Sequence, residues 1–358
     1  MSNIIAFRAP PPRQTEDQRR AALIATFADH RRGPDDVFWL KENAEILNIL
    51  ECSGLGAPAA ALAPYAGFYA ALERRMGFFP QYYRFLLSIA LDLESLGMPG
   101  DKAVVLVDWA ARQGLAEAEL SDLQRAEAQR LMLRRGSDPM RHDTGLHDRL
   151  RAFTARTATF AMPNKKAAYE LTHIVFYLSE YGRRAPDLPA EARQSLHFTG
   201  TLAFLDQNAD LLAEVCLAMR QAQMTPPSLW EAWIADEMRL YALRGPDAGP
   251  VADDYHEYLV GNWALAQAGR AAFGAEVPAG QVIFHAAEGR ATALREMSER
   301  MFEGDTARSA DWGRMRHVVT RGMSDTAQEV LLAAETATPD FAAFFEGFAR
   351  AAQPGRAK

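Results

Sequence analysis

The chain has 358 residues, 49% of them hydrophobic and 24% charged, enough to bury one large core or two moderate ones. Its net charge of −7 and pI near 5.7 leave no basic footprint, which argues against nucleic acid as a partner and against adsorption to anionic membranes. Cys52 and Cys216 lie far apart in apolar helical patterns, so they read as buried free thiols rather than a disulfide framework.

No window reaches the roughly 18 consecutive apolar residues of a membrane span. The opening run Met1 to Arg8 lacks both the basic region and the apolar length of a signal peptide. The expected location is therefore the cytoplasm, with no membrane insertion. Residues 1–14, which contain Pro10-Pro11-Pro12, are expected to form a flexible tail. Residues 15–352 are expected to form one helical domain and residues 353–358 a second short tail.

The first predicted helix opens at Thr15 with the capping-box spacing Thr15-x-x-Gln18 and runs to about His30, before Gly33-Pro34. Further helices are expected from Asp35-Asp36 to Leu50, Pro64 to Met76, Gln81 to Leu96, Asp101 to Gln113 and Ser121 to Arg135. A turn-rich segment with His142 and His147 leads into a helix from Asp148 to Phe160. After Pro163 comes a helix capped by Asn164 and ending at Gly182. Helices then follow at Pro189 to Leu205, Ala209 to Gln223 and Ser228 to Leu243, the last with the box Ser228-x-x-Glu231. The Gly- and Pro-rich stretch Arg244 to Val251 reads as a loop. Asp254-x-x-Glu257 opens a helix to about Phe273, and helices are expected at Gln281 to Met301, Ser309 to Thr320, Ser324 to Thr336 and Pro339 to Ala352.

No stretch carries the alternation and β-branched enrichment of a strand, so the expected class is all-α with no sheet. Helices stop at Gly56, Gly97, Gly136 and Gly182 and again near Met224, about 40 to 46 residues apart, close to the period of two-helix repeats. That spacing predicts stacked antiparallel helical hairpins, as an open solenoid or a closed α/α toroid.

The helix after Pro163 concentrates the chemistry. Ala167, Ala168, Leu171, Ile174, Val175 and Leu178 form its apolar stripe. Glu170, His173, Tyr177, Glu180 and Tyr181 fall three or four apart on the other side. Glu170-x-x-His173 sets a carboxylate and an imidazole on one face, and Asp253-x-x-His256 repeats the pattern. Repeated Glu-x-x-His is the ligand pattern of carboxylate-bridged di-iron bundles, with Glu127, Glu214 and Glu237 as further carboxylates of the right type. Helix capping by Asp253 or Asp254, completed by Glu257, explains the second motif without a metal. The alternative for His173 and His256 is acid–base chemistry, with Glu170 and Tyr177 orienting or relaying protons. His285-x-x-Glu288 reads as a helical side-chain pair. Trp230 and Trp233 are expected to seal the core. Arg31-Arg32, Arg134-Arg135 and Arg183-Arg184 flank helix ends, where cations oppose the macrodipole. No P-loop, dinucleotide fingerprint, paired Cys-x-x-Cys or Gly-x-Ser-x-Gly elbow is present.

The run Tyr169-Glu170-Leu171-Thr172-His173-Ile174-Val175-Phe176-Tyr177-Leu178-Ser179-Glu180-Tyr181-Gly182 resembles a segment of uncharacterised bacterial all-helical proteins, in which a Thr-His pair precedes Phe-Tyr-Leu and a closing glycine. Tyr255-His256-Glu257-Tyr258-Leu259-Val260-Gly261 looks like a second such segment. The resemblance brings no activity with it, but it implies that His173 and His256 act together. The expectation is one concave pocket lined by Glu170, His173, Tyr177 and His256, binding a small molecule or peptide, with acid–base chemistry. No residue is assigned to a metal in that reading, and neither cofactor nor oligomeric state follows from it. A non-catalytic interaction scaffold and a di-iron carboxylate oxidase are the competing classes.

Overall fold

A computed structural model describes residues 13–245, 253–291, 293–304 and 307–351. The chain runs through α1 (Glu16–Ala25), α2 (Val37–Cys52), α3 (Ala66–Ala70), α4 (Leu72–Phe78), α5 (Tyr83–Ser95), α6 (Lys102–Arg112) and α7 (Asp122–Leu133). It continues with α8 (Leu146–Thr154), α9 (Thr157–Phe160), α10 (Lys165–Leu178), α11 (Glu191–Leu205), α12 (Ala209–Gln221), α13 (Ser228–Leu240) and α14 (Tyr255–Gln267). The last helices are α15 (Ala293–Glu303), α16 (Trp312–Thr320), α17 (Asp325–Ala337) and α18 (Phe341–Ala349). The protein is thus mainly α-helical. Its one exception among the described residues is a small antiparallel ribbon, β1 (Ala242–Arg244) with β2 (Ile283–His285), in which Leu243 faces Phe284. Three-residue strands are too short to show an alternating pattern, so nothing in the sequence marks them.

Local chemistry explains most helix starts. Thr15 and Gln18 form the predicted capping box, and Asp36, Ser121, Asn164, Asn208 and Ser324 each accept a first-turn amide. Two predicted boxes do not form. Glu231 turns away from Ser228 to bind Arg220 Nε at 2.7 Å. Asp254 accepts the Ala286 amide at 3.0 Å, and Glu257 is held by Arg290 and by the Tyr241 hydroxyl. A guanidinium is a stronger partner for a carboxylate than a helix-end amide, and the Ala286 amide takes Asp254 away from its own helix, so tertiary contacts win.

The first helix also departs from expectation. Beyond Ala25 it widens into a π-helical turn, Thr26–His30, and the Phe27 and Ala28 carbonyls accept from Asn43 Nδ2 (3.0 Å) and Trp39 Nε1 (2.9 Å). The helix expected from Gln281 instead contains β2 and a loop, so His285 lies on a strand and Glu288 beyond it rather than one helical turn apart. At the N-terminal side, Gln14 is not loose: its side chain exchanges hydrogen bonds with the Val277 backbone (2.9 and 3.0 Å). Residues 1–12, most of the loop before α14 and residues 353–358 lie outside the described residues.

What positions the site is the order of helix contacts. Helix α2 packs on α5, α5 on α7, α7 on α10, α10 on α12, α12 on α14, and α14 returns to α2. Of the other helices, α6 packs on α5, α8 on α7 and α10, α11 on α12, and α13 on α12 and α14, while α17 and α18 pack on α11. Two ionic rungs join the ends of the series. Arg31, at the end of the π-helical turn, binds Glu42 of α2 (2.8 Å), Asp253 just before α14 (2.7 and 3.0 Å) and the Val282 carbonyl (2.7 Å). One turn on, Glu45 of α2 meets His256 of α14.

Candidate functional site

Each of the six helices in that cyclic series contributes a side chain to one cavity of about 210 Å³: Glu45 from α2, Ser88 from α5, Arg130 from α7, His173 from α10, Glu214 from α12 and His256 from α14. Both histidines singled out by the sequence therefore meet in one space.

His256 is the most strongly polarised group. Its Nδ1 lies 2.5 Å from Glu45 Oε1 and its Nε2 lies 3.2 Å from Asp210 Oδ1. Burial opposes charge on the ring, but the two carboxylates outweigh it and push its pKa up to about 11. Burial likewise pulls the Asp210 carboxyl upward. The His256 imidazolium and the Tyr169 hydroxyl, 2.6 Å from Oδ2, overcome that pull and hold it below its ordinary range. Asp210 Oδ1 lies off the line of a hydrogen bond to His256 and is buried without another described partner.

Glu214 is one turn beyond Asp210 on α12, with a side chain only 3% exposed. Burial pushes its carboxyl up to about 6, against the pull of His173 and the Thr172 hydroxyl, which donates to Oε2 at 2.5 Å. His173 Nδ1 lies 2.7 Å from the Tyr169 carbonyl, an acceptor only, so Nδ1 carries the proton and a neutral ring leaves its lone pair on Nε2. Asp210, Glu214 and His256 each offer a ligand atom within 4.8 Å of the other two, a spacing that could hold a metal ion.

The other predicted site residues are placed differently. Glu170 is half-buried on α10 and is not among the residues that line the cavity. Tyr177 is buried behind it, edge-on to His173 with centroids 5.9 Å apart, and burial raises its hydroxyl well above the usual range. Asp253, expected to pair with His256, is committed to Arg31 and to the Phe284 amide. Glu237 pairs with Arg290, and Glu127 reaches the cavity while pairing with Arg84. The arginine pairs at helix ends do more than oppose dipoles: Arg134 binds Asp92 (2.6 Å) and Arg135 binds Glu94 (2.7 Å).

Helix α10 stops at Leu178, four residues before the expected glycine. Glu180, Tyr181 and Gly182 then follow in left-handed conformation (φ 49°, 55° and 87°). This swings the Tyr181 ring under the Arg130 guanidinium, 4.5 Å from its centroid.

A family model described as a domain of unknown function, DUF6902, matches residues 1–351. The chain belongs to that family. No curated protein and no solved structure matches it. The match agrees with the expectation of an uncharacterised family and carries no activity, so the chemistry rests on the geometry above.

Sequence reasoning missed Glu45, Asp210 and Arg130. A signal existed for Asp210: Asp210-Leu-Leu-Ala-Glu214 sets two acids one turn apart inside the apolar helix Ala209–Gln221, and an acid at a core position requires a partner. Nothing local marks Glu45 or Arg130, which sit in ordinarily polar stretches of α2 and α7.

Proposed function

We propose that the cavity inside the six-helix ring, read as an α/α toroid, binds a small molecule, and that Glu214, His173 and His256 act on it by acid–base chemistry. The observation that carries this is the meeting of those three groups on one cavity to which every ring helix contributes. Glu214, with a pKa near 6, is matched to exchanging a proton close to neutrality. His173, whose Nδ1 is committed to the Tyr169 carbonyl, has only Nε2 left through which to exchange a proton. His256, kept cationic by Glu45 and Asp210, is suited to stabilising negative charge that develops on a bound molecule. A concave space of this size favours a small molecule over a peptide.

The test is a thermal-shift screen of small metabolites on the full chain, followed by histidine-selective ¹⁵N NMR. A ligand that stabilises the protein and shifts both His173 and His256 supports the proposal. Ligands that stabilise it while leaving both imidazoles unmoved overturn it.

A second reading is favoured by the Asp210–Glu214–His256 spacing and by Asp210 Oδ1, which is buried and makes no aligned hydrogen bond with a described residue. In it a divalent cation takes the place of the His256 proton. Glu45 at Nδ1 would then orient the ring, as carboxylates do for metal-bound histidines. Elemental analysis of freshly purified protein beside His173→Ala/His256→Ala separates the two readings: near-stoichiometric metal that vanishes in a folded variant selects the second.

A further inference from the structure

The cavity's hydrogen-bonding capacity is lopsided. Each carboxylate on its wall already has one partner: Glu45 has His256, Glu127 has Arg84 and Glu214 has Thr172. Several of its donors have none among the described residues. Arg130 is 6% exposed, makes no ion pair with a described residue, and has Nε and Nη1 buried without a hydrogen-bond partner. Asn48 Nδ2 and Trp263 Nε1, on residues 8% and 4% exposed, are buried and unpartnered in the same cavity lining.

A buried guanidinium without an ion-pair partner is costly, and the unpartnered N–H groups of Arg130, Asn48 and Trp263 on one stretch of the wall define a complement that accepts hydrogen bonds. Stacking on Tyr181 covers a face of the guanidinium and leaves its in-plane N–H edge for a planar, bidentate partner. Phe176, Tyr181 and Trp263 form an aromatic wall next to it, with centroids 5.3 to 5.8 Å apart. One guanidinium compensates one negative charge. Lys41 and His256 line the same space, but His256 is held by Glu45 and Asp210, and Glu127 and Glu214 oppose a second negative charge, which disfavours a phosphate dianion.

We propose that the ligand is a small carboxylate with an apolar or aromatic body, its carboxylate received by Arg130 with Asn48 and Trp263, and its body laid on the aromatic wall. The assignment rests on reading the ring cavity as a ligand site and adds the ligand's class to that reading. It places the recognised carboxylate at the Arg130 side and leaves the rest of the molecule facing Glu214 and the histidines.

The experiment is calorimetric titration of the full chain with benzoate and phenylacetate, with benzamide and phenylacetamide as neutral counterparts, and with inorganic phosphate. The acids are expected to bind at millimolar concentration or below, the amides about tenfold more weakly or less well still. Arg130→Gln is expected to lose binding by about tenfold or more, with its fold checked by circular dichroism. Should Arg130→Gln fail to fold, Asn48→Ala carries the test with an expected loss of about threefold to tenfold, as befits one neutral hydrogen bond.

Equal binding of the amides, preference for phosphate, silence of every acid at millimolar concentration, or full affinity in the folded variants overturns the carboxylate assignment. Acids that bind through Arg130 while His173 and His256 stay unmoved in the NMR overturn the acid–base proposal and leave this one standing. Neutral ligands that move both imidazoles do the reverse.

Discussion

Replacing Glu214 by glutamine fixes the uncharged form of a buried carboxyl whose pKa lies near 6 rather than at its ordinary 4.5. That difference corresponds to about 2 kcal/mol, at roughly 1.4 kcal/mol per pH unit. The sign follows from proton uptake: between pH 4.5 and 6 the native state binds the proton more tightly than the unfolded chain. The stabilisation is therefore fully present below 4.5 and lost as pH rises through 6. Glutamine keeps the Thr172 hydrogen bond and never incurs that loss. Glu214→Gln should match the wild type at pH 4.5 and exceed it by about 2 kcal/mol at pH 8. With an unfolding entropy of about 2.1 cal/mol/K per residue, 358 residues give a rise in Tm of about 2 to 3 °C. Thermal unfolding by circular dichroism at both pH values measures it. A variant that melts below the wild type at pH 8 refutes the reasoning, because the ionised carboxylate would then be held by a cation, as the metal reading requires. A gain confined to pH 8 marks Glu214 as a group kept at the expense of stability, the expected sign for a working acid–base residue.

Other perturbations test the frame around the site. Arg31→Met leaves Asp253 buried without its cation and Glu42 with Arg32 alone, and should cost about 3–5 kcal/mol in urea unfolding; a loss under about 1 kcal/mol would refute its role in tying α14 to α2. Gly200→Ala puts a Cβ 2.3 Å from two ring atoms of the buried Trp230. Overpacking there should outweigh the helix-propensity gain and lower stability by about 1–2 kcal/mol. Gly261→Ala meets the flexible Met238 instead and should change stability by less than about 1 kcal/mol; equal effects at the two sites would refute the packing argument.

Much of the fold was legible because helix signals are local. The Thr15–Gln18 box formed, and Asn164 caps α10, because those side chains had no better partner than the first-turn amides. The Ser228 and Asp254 boxes failed where Arg220, Arg290 and the Ala286 amide outbid such amides, and those competitors are set by distant parts of the chain. The convergence of His173 and His256 was anticipated from two similar helical segments. Glu170 was misplaced by the same face argument, since sharing a side of a helix does not decide which residues on it reach the cavity.

The helical class, many helix limits and the two imidazoles to watch were readable in the residues alone, because capping, breaker residues and apolar periodicity act over a few residues. It took the packed molecule to show that α14 returns to α2, that Asp253 belongs to Arg31 while Asp210 and Glu45 belong to His256, and that Arg130 is buried without an ion pair to a described residue. His256 and Glu45 are separated by 211 residues. Pairing at that range is set by the burial of whole helix faces, and one polar residue in an ordinary helix carries no mark of the partner that burial will bring to it.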